Sequence, residues 1–412
     1  MRKKTGIKFI AAAAAVALVP FAVSEAMDNP PDVSKIMAAA VNFTANSGFS
    51  TETSEFGNGS LILYKPNPPQ STESNMTETP EITEDTAFAE TEITSQESAI
   101  TENENISQEP AVTAQEKTDD SDKSYIITQN ISHDTEDLSV FGSTDLKVRK
   151  TTFDSNPEGY NFVSLSMGGK VRNCTELDSD FVKAESEILP EFQLEAYSDQ
   201  PQVLIMHTHT TESYLLGSGD YQDKDYSCRT TDPTQSVVAV GQKISEKLAE
   251  KGICVIHDGT LHDRADFNKA YAYSEETVAA ILEKYPSIKV VFDVHRDGIV
   301  EADGSPVAAV NTINGKEAAQ VMIISAATDG YYYVPNYLQN FHFACLLQQY
   351  MESTNPGITR PVLFQYCNYN QHLTTGSLLL EIGAQGNTLE QALYTGELIG
   401  ESIGNALLTL CK

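Results

Sequence analysis

Val203-Leu-Ile-Met206 is an uninterrupted apolar run, entered from Gln202 and left through His207-Thr-His-Thr-Thr-Glu-Ser-Tyr214. A run this short with no polar alternation reads as a strand buried on both faces, as in a parallel sheet covered by helices. Ile253-Cys-Val-Ile256, Ile288-Lys-Val-Val-Phe-Asp293 and Ser377-Leu-Leu-Leu-Glu381 repeat the pattern. Helical signals lie between and beyond them. Asp232 is placed to cap a helix with Pro233 at its first position, and Val237, Val238, Val240, Ile244 and Leu248 give it an apolar stripe up to Gly252. Further helices are expected around Glu275 to Glu283, over Tyr337 to Met351 and from Leu389 to Leu410. Val310 to Ile313 and Gln320 to Ser325 flank Asn314-Gly315, a hairpin signal at a sheet edge. Strand–helix alternation of this kind predicts an α/β fold with a mostly parallel sheet flanked by helices.

Outward from that core the composition changes. The 412 residues carry 58 acidic against 27 basic side chains, a net charge of −31. So anionic a chain repels phosphate backbones, which excludes a nucleic-acid partner. Residues 71–122 hold 15 acidic groups and only Lys117 as a base, so −14 of the charge sits there and −17 on the other 360 residues. This Thr/Glu/Ser-rich stretch, taken as 66–135, cannot bury enough apolar area to offset chain entropy and is expected to be a disordered spacer. At the N-terminus Arg2, Lys3, Lys4 and Lys8 precede an apolar run from Phe9 to Val23. Residues 1–26 therefore read as an export signal or membrane anchor, with everything beyond them outside the cytoplasm. Residues 27–65 are expected to be a short helix, with Val33, Ile36, Met37, Ala40 and Val41 as its apolar stripe, and a linker; the globular domain is assigned to 136–412. Six cysteines are scattered with no Cys-x-x-Cys pair, so neither a zinc ribbon nor a disulfide framework is indicated.

Ligands of open parallel sheets bind beyond the carboxyl ends of the strands, so the residues just past each apolar run matter most. His207, His209 and Glu212 come after the first, Asp293, His295, Arg296 and Asp297 end another, and Glu381 ends a third. Glu381 comes after three leucines, where an unpaired carboxylate is costly and needs a metal, a cation or a proton. Two imidazoles and a carboxylate are the ligand set of a catalytic Zn²⁺, and a further carboxylate could move protons. His257, Asp258, His262 and His372 are competing candidates, whereas His133 and His342 read as structural or solvated. Ser213 lacks the Gly-x-Ser-x-Gly elbow of a serine nucleophile, and no glycine-rich phosphate loop is present.

The His-Thr-His-Thr-Thr-Glu-Ser-Tyr string, the Thr231-Asp232 helix start with Val-Val-Ala-Val-Gly241, Phe292-Asp-Val-His-Arg-Asp-Gly298 and Leu378-Leu-Leu-Glu-Ile-Gly383 together resemble the stage II sporulation protein P family over roughly 168–412. That family belongs to the zinc-dependent N-acetylmuramoyl-L-alanine amidases. The resemblance implies their fold and hydrolysis of the amide between the muramic acid lactyl group and L-alanine of peptidoglycan. Members are also described as cutting peptide crosslinks. It implies a membrane-anchored protein at the engulfing septal membrane of a sporulating bacterium, with the stage II sporulation proteins D and M as partners. Position by position, it makes His209 and His295 metal ligands and Glu381 the catalytic glutamate. Glu212, inside the string particular to the family, is preferred as third ligand over Asp232, which stands where other zinc amidases place a Glu. His207, Asp232 and Arg296 are then expected to contact substrate or support the ligands, with Arg296 beside the oxyanion. The rival expectation is a non-catalytic wall-binding scaffold.

Overall fold

The computed structural model describes residues 48–56, 59–68, 146–223 and 226–412. The expected N-terminal segment at 1–26, the apolar stripe at 33–41, His133 and all but the first three residues of the 66–135 spacer lie outside the described residues. Among the described residues no helix is long and apolar enough to cross a membrane.

Among those residues ten strands form one sheet, in the spatial order Phe49–Phe56, Gly59–Pro66, Val255–Asp258, Val203–Met206, Val290–Asp297, Gly376–Ala384, Val321–Ala327, Val362–Tyr366, Lys170–Cys174 and Phe162–Ser164. The four strands at its centre, Val255–Asp258 to Gly376–Ala384, run parallel, as their continuous apolar faces require. The sheet as a whole is mixed rather than mostly parallel, because Val321–Ala327 runs antiparallel to Gly376–Ala384 and each margin carries a hairpin. One of these occupies part of the expected linker: Phe49–Phe56 and Gly59–Pro66 pair with each other, and the second pairs with Val255–Asp258. Ile62 and Tyr64 of that hairpin are fully buried, so it belongs to the core.

Helices Val237–Glu250, Tyr337–Thr354 and Leu389–Leu408 bury their apolar stripes on one face of the sheet with Val203, Ile205, Phe292 and Val294. Helix Ala270–Lys284 covers part of the other face, packing Val278 and Ile281 on Leu204, Met206 and Val291. Val237–Glu250 starts later than expected. Ser236 caps it, and Asp232 instead accepts from Thr234 and Gln235 within the preceding turn. The Asn314-Gly315 turn does make a hairpin, with both residues at positive φ, but it joins Val307–Ile313 to Lys316–Ala319 in a separate three-stranded sheet; Val321–Ala327, expected as the second arm, lies inside the main sheet between Gly376–Ala384 and Val362–Tyr366. All six cysteines are free.

Val237–Glu250 and Leu389–Leu408 approach unusually closely along Gly396, Gly400 and Gly404, one turn apart. A Cβ on Gly400 would lie 2.7 Å from the Cβ of Lys247, which leaves no room for a side chain. Gly400→Val should therefore destabilise the fold by about 1–3 kcal/mol through overpacking, read from the midpoint of urea unfolding; an unchanged midpoint would show that the helices can move apart freely.

Candidate metal centre and its surroundings

The chain leaves the Val203–Met206 strand in a tight turn, with Glu212 N–H donating to His209 O at 3.0 Å. Thr208 pins the turn to the next strand: its N–H and hydroxyl donate to the two oxygens of Asp293 at 2.8 and 2.6 Å. His295 lies two residues further along that strand, and Glu381 is its register partner on the adjacent parallel strand. Partners in register share a face, so backbone pairing alone sets the two side chains next to each other.

One donor atom each from His209, Glu212 and His295 lies within 4.8 Å of the others. Glu212 stands between the histidines, Oε1 at 3.4 Å from His209 Nδ1 and Oε2 at 3.4 Å from His295 Nδ1. Both separations are long for a hydrogen bond. The two contacts use different oxygens, so the carboxylate spans the gap between the imidazoles. By chemistry and proximity the donor set fits Zn²⁺ held by three protein ligands. His295 Nε2 lies 2.8 Å from Asp293 Oδ1, the carboxylate contact that orients a ligating imidazole through its other nitrogen. Asp297, two residues beyond His295, accepts from Arg360 Nη1 at 2.8 Å.

The electrostatics point the same way. Burial opposes charge on Glu212, but His209, His295 and Arg296 hold it well below the usual carboxylate range. Burial also opposes charge on His295, yet Asp293 and Glu212 raise it well above an ordinary imidazole. The cluster is arranged for a positive charge, which the proton on His295 supplies when no cation is bound. Glu381 differs: burial, then Asp297, push it up to about 8, against the smaller downward pull of His295. Its Oε2 is buried without a partner.

The other expected residues take other places. His207 is fully buried away from the three donors. Its Nδ1 donates to Val294 O at 2.8 Å, so its Nε2 accepts from His257 Nε2 at 2.9 Å. The pair fits beneath helix Val237–Glu250 because residue 241 is glycine; a Cβ there would come within 2.7–2.9 Å of both rings. Asp232 lies outside the donor cluster, in its turn. The guanidinium of Arg296 donates to the carbonyls of Ser213, Cys228 and Asp297, while its backbone N–H donates to Glu212 Oε2 at 3.1 Å. Arg296 thus supports a ligand and is not free to face an oxyanion. Ser213 pairs with the Tyr226 hydroxyl, His372 with Glu275 and Asn368, and His342 with Glu185. His262 bonds to the His207 carbonyl, and its Nε2 stands 3.8 Å from Asp258.

Sequence patterns did not single out the aromatic wall. Phe267 stacks on His209 at 4.5 Å between ring centroids, and the Arg229 guanidinium lies 4.6 Å from the centre of the Phe267 ring. Arg229 also donates to Asp263 at 2.8 Å. Tyr271 stands beside both histidines. Aromatic residues near a helix start carry no local signal that separates a site wall from a core.

These strand ends bring two imidazoles and a carboxylate together on a mixed α/β sheet, with a second carboxylate on the adjacent strand, a donor set that could hold one metal ion. The family model for stage II sporulation protein P matches residues 49–404, and the chain belongs to that family. Stage II sporulation protein P of Bacillus subtilis (strain 168) is 28% identical over 204 residues, which span 47% of this chain and 48%, about half, of that protein. Among solved structures, the N-acetylmuramoyl-L-alanine amidase AmiC2 of Nostoc punctiforme is 12% identical at a TM-score of 0.31, covering 52% of this chain and 97% of that one. The CwlD amidase from Clostridioides difficile, in complex with the GerS lipoprotein, gives 12% and 0.31 over 50% and 94%.

The buried imidazole pair has a consequence for stability. Burial holds His207 down to about 4, and burial and His207 hold His257 well below its ordinary value. Between about 6.5 and 4 the unfolded chain binds protons that the folded chain refuses, so stability is lost as pH falls through this window. His295, whose value is raised, changes its contribution only above it. His207 alone accounts for about 3 kcal/mol across the window. Glu381, raised to about 8, acts in the opposite sense, because between about 8 and 4.5 the folded chain keeps a proton there that the unfolded chain gives up. In metal-free Glu381→Gln, which lacks that opposing contribution, the thermal midpoint should drop from pH 6.5 to 4 and more steeply than in the wild type; a flat profile in this variant would mean that the pair is not held neutral.

Proposed function

We propose that the chain is a peptidoglycan hydrolase, a zinc-dependent N-acetylmuramoyl-L-alanine amidase that cuts the amide between the muramic acid lactyl group and L-alanine. The observation that carries the proposal is the convergence of His209, Glu212 and His295 on one point, with Glu381 next to it in the sheet ladder. Zn²⁺ bound there would polarise the scissile carbonyl and bring a water's pKa toward neutrality. The protein's own groups do the rest. Glu381, lifted to about 8 with no cation bound, would be drawn down to its ionised form beside Zn²⁺ and could then take the attacking water's proton. It then returns that proton to the leaving amine as the carbon–nitrogen bond breaks. Asp293 holds the His295 ring, and the Arg296 N–H holds Glu212, so the donors keep their geometry through the reaction.

Family membership extends the proposal to place and partners. The chain works in septal wall remodelling during engulfment, anchored by its N-terminal segment with the catalytic domain outside the cytoplasm. The stage II sporulation proteins D and M act with it, and peptide crosslinks are a second class of bond that it cuts.

Glu381→Gln should bind one zinc per chain and release stem peptide from purified sacculi at least about 10²-fold more slowly than the wild type. A chelator should stop the wild type and added Zn²⁺ restore it. Mass spectrometry of the products should show a free lactyl carboxylate. Retained release by Glu381→Gln removes that residue from its role, and sacculi that bind the zinc-loaded wild type but stay intact make the chain a scaffold.

A further inference from the structure

Tyr271 lies in the first turn of helix Ala270–Lys284, against the donor cluster. Its ring crosses that of His209 at 5.6 Å between centroids and 71°, and lies 6.5 Å from His295 and within 10° of parallel. Tyr369 packs on the same ring at 5.4 Å, and Asn370 Nδ2 donates to the Tyr271 carbonyl at 2.9 Å, so ring and backbone are both fixed. These contacts leave the hydroxyl unused: among the described residues no group hydrogen-bonds to it. Burial first, and then the negative charge of Asp293, with smaller contributions from Glu381 and Glu212, push the phenol up, so it keeps its proton.

An amidase needs a donor where negative charge appears on the carbonyl oxygen. Of the nearby cationic side chains, Arg296 is engaged with three carbonyls and Arg229 with Asp263 and Phe267; Arg360 is paired with Asp297 through Nη1 and keeps Nε and Nη2 without partners, whereas Tyr271 has its ring beside both His209 and His295. A phenol is protonated at neutral pH and can donate without carrying charge. We infer that Tyr271 is a catalytic residue whose hydroxyl donates a hydrogen bond to the oxyanion that forms on the amide carbonyl oxygen as water adds. The inference rests on the amidase reading of the site. As water adds, a carbon–oxygen bond forms, the carbonyl π pair moves to oxygen, and the water's proton goes to Glu381. On collapse the carbonyl re-forms, the carbon–nitrogen bond breaks, and Glu381 protonates the amine. Tyr271 keeps its proton throughout.

The test compares the zinc-loaded full chain with Tyr271→Phe, which keeps the ring and removes only the hydroxyl. On a soluble muropeptide, kcat should fall about 10²–10³-fold with KM within threefold, zinc stoichiometry intact and the melting temperature unchanged. A readout apart from turnover uses binding. A phosphinate analogue of the scissile amide should bind Tyr271→Phe at least about tenfold more weakly, whereas uncleaved muropeptide should bind Glu381→Gln and Glu381→Gln/Tyr271→Phe equally. Turnover and analogue affinity that match the wild type overturn the role of the tyrosine alone. Loss of zinc or of melting temperature in proportion to lost turnover also overturns it, leaving a packing role. A wild type that releases no stem peptide overturns the amidase reading, and the tyrosine's role falls with it.

Discussion

Glu212 is the constraint on which the site depends. It is a carboxylate placed between two imidazoles in a space that excludes most water, and it is ionised there only because positive charge is available on both sides. A buried unpaired charge is costly, so everything nearby serves to keep that one paired. The turn at His209 brings Glu212 back toward the sheet, the Arg296 N–H caps its second oxygen, and Arg229 stands 3.8 Å from the first. Asp293 supplies the matching contact on the far side of His295. Acid, imidazole, acid and imidazole alternate through the cluster from Asp293 to His209.

Glu381 belongs to the same cleft yet stands outside this alternation. Its neighbour Asp297 shares its sign, and its buried oxygen has no donor. The two carboxylates therefore differ by environment alone, one committed to charge and the other poised between states. Separated pKa values of this kind are how one site assigns a ligand and a proton carrier to the same side-chain type.

The central strands were legible because burial on both faces writes a continuous apolar run, and each run ended where the structure ends it or within a few residues. Strand direction is not written that way. Nothing in Val321–Ala327 distinguishes an antiparallel neighbour of Gly376–Ala384 from a parallel one, and the sheet proved mixed. The hairpin was passed over because Phe49–Phe56 is an edge strand, half solvated and rich in Thr, Ser and Glu, a composition it shares with a linker. At Asp232 the local capping signal lost to tertiary pairing: Ser213 bridges to Ser236, and Glu212 O accepts from Val237 N, so the helix begins only after Ser236 and Asp232 closes a turn instead. His207 and His209 have strand spacing, which would put them on one side. The turn that begins between them sends one ring under a helix and the other to the donor cluster, a separation that only the three-dimensional path reveals.

The hairpin at Phe49–Pro66 closes one margin of the sheet. Without it Val255–Asp258 would present a row of unpaired backbone groups; with it the margin passes to Phe49–Phe56, a strand whose Thr, Ser and Glu side chains are mostly solvated. An outer strand of that composition is a poor template for pairing with another chain, so this edge is protected against aggregation.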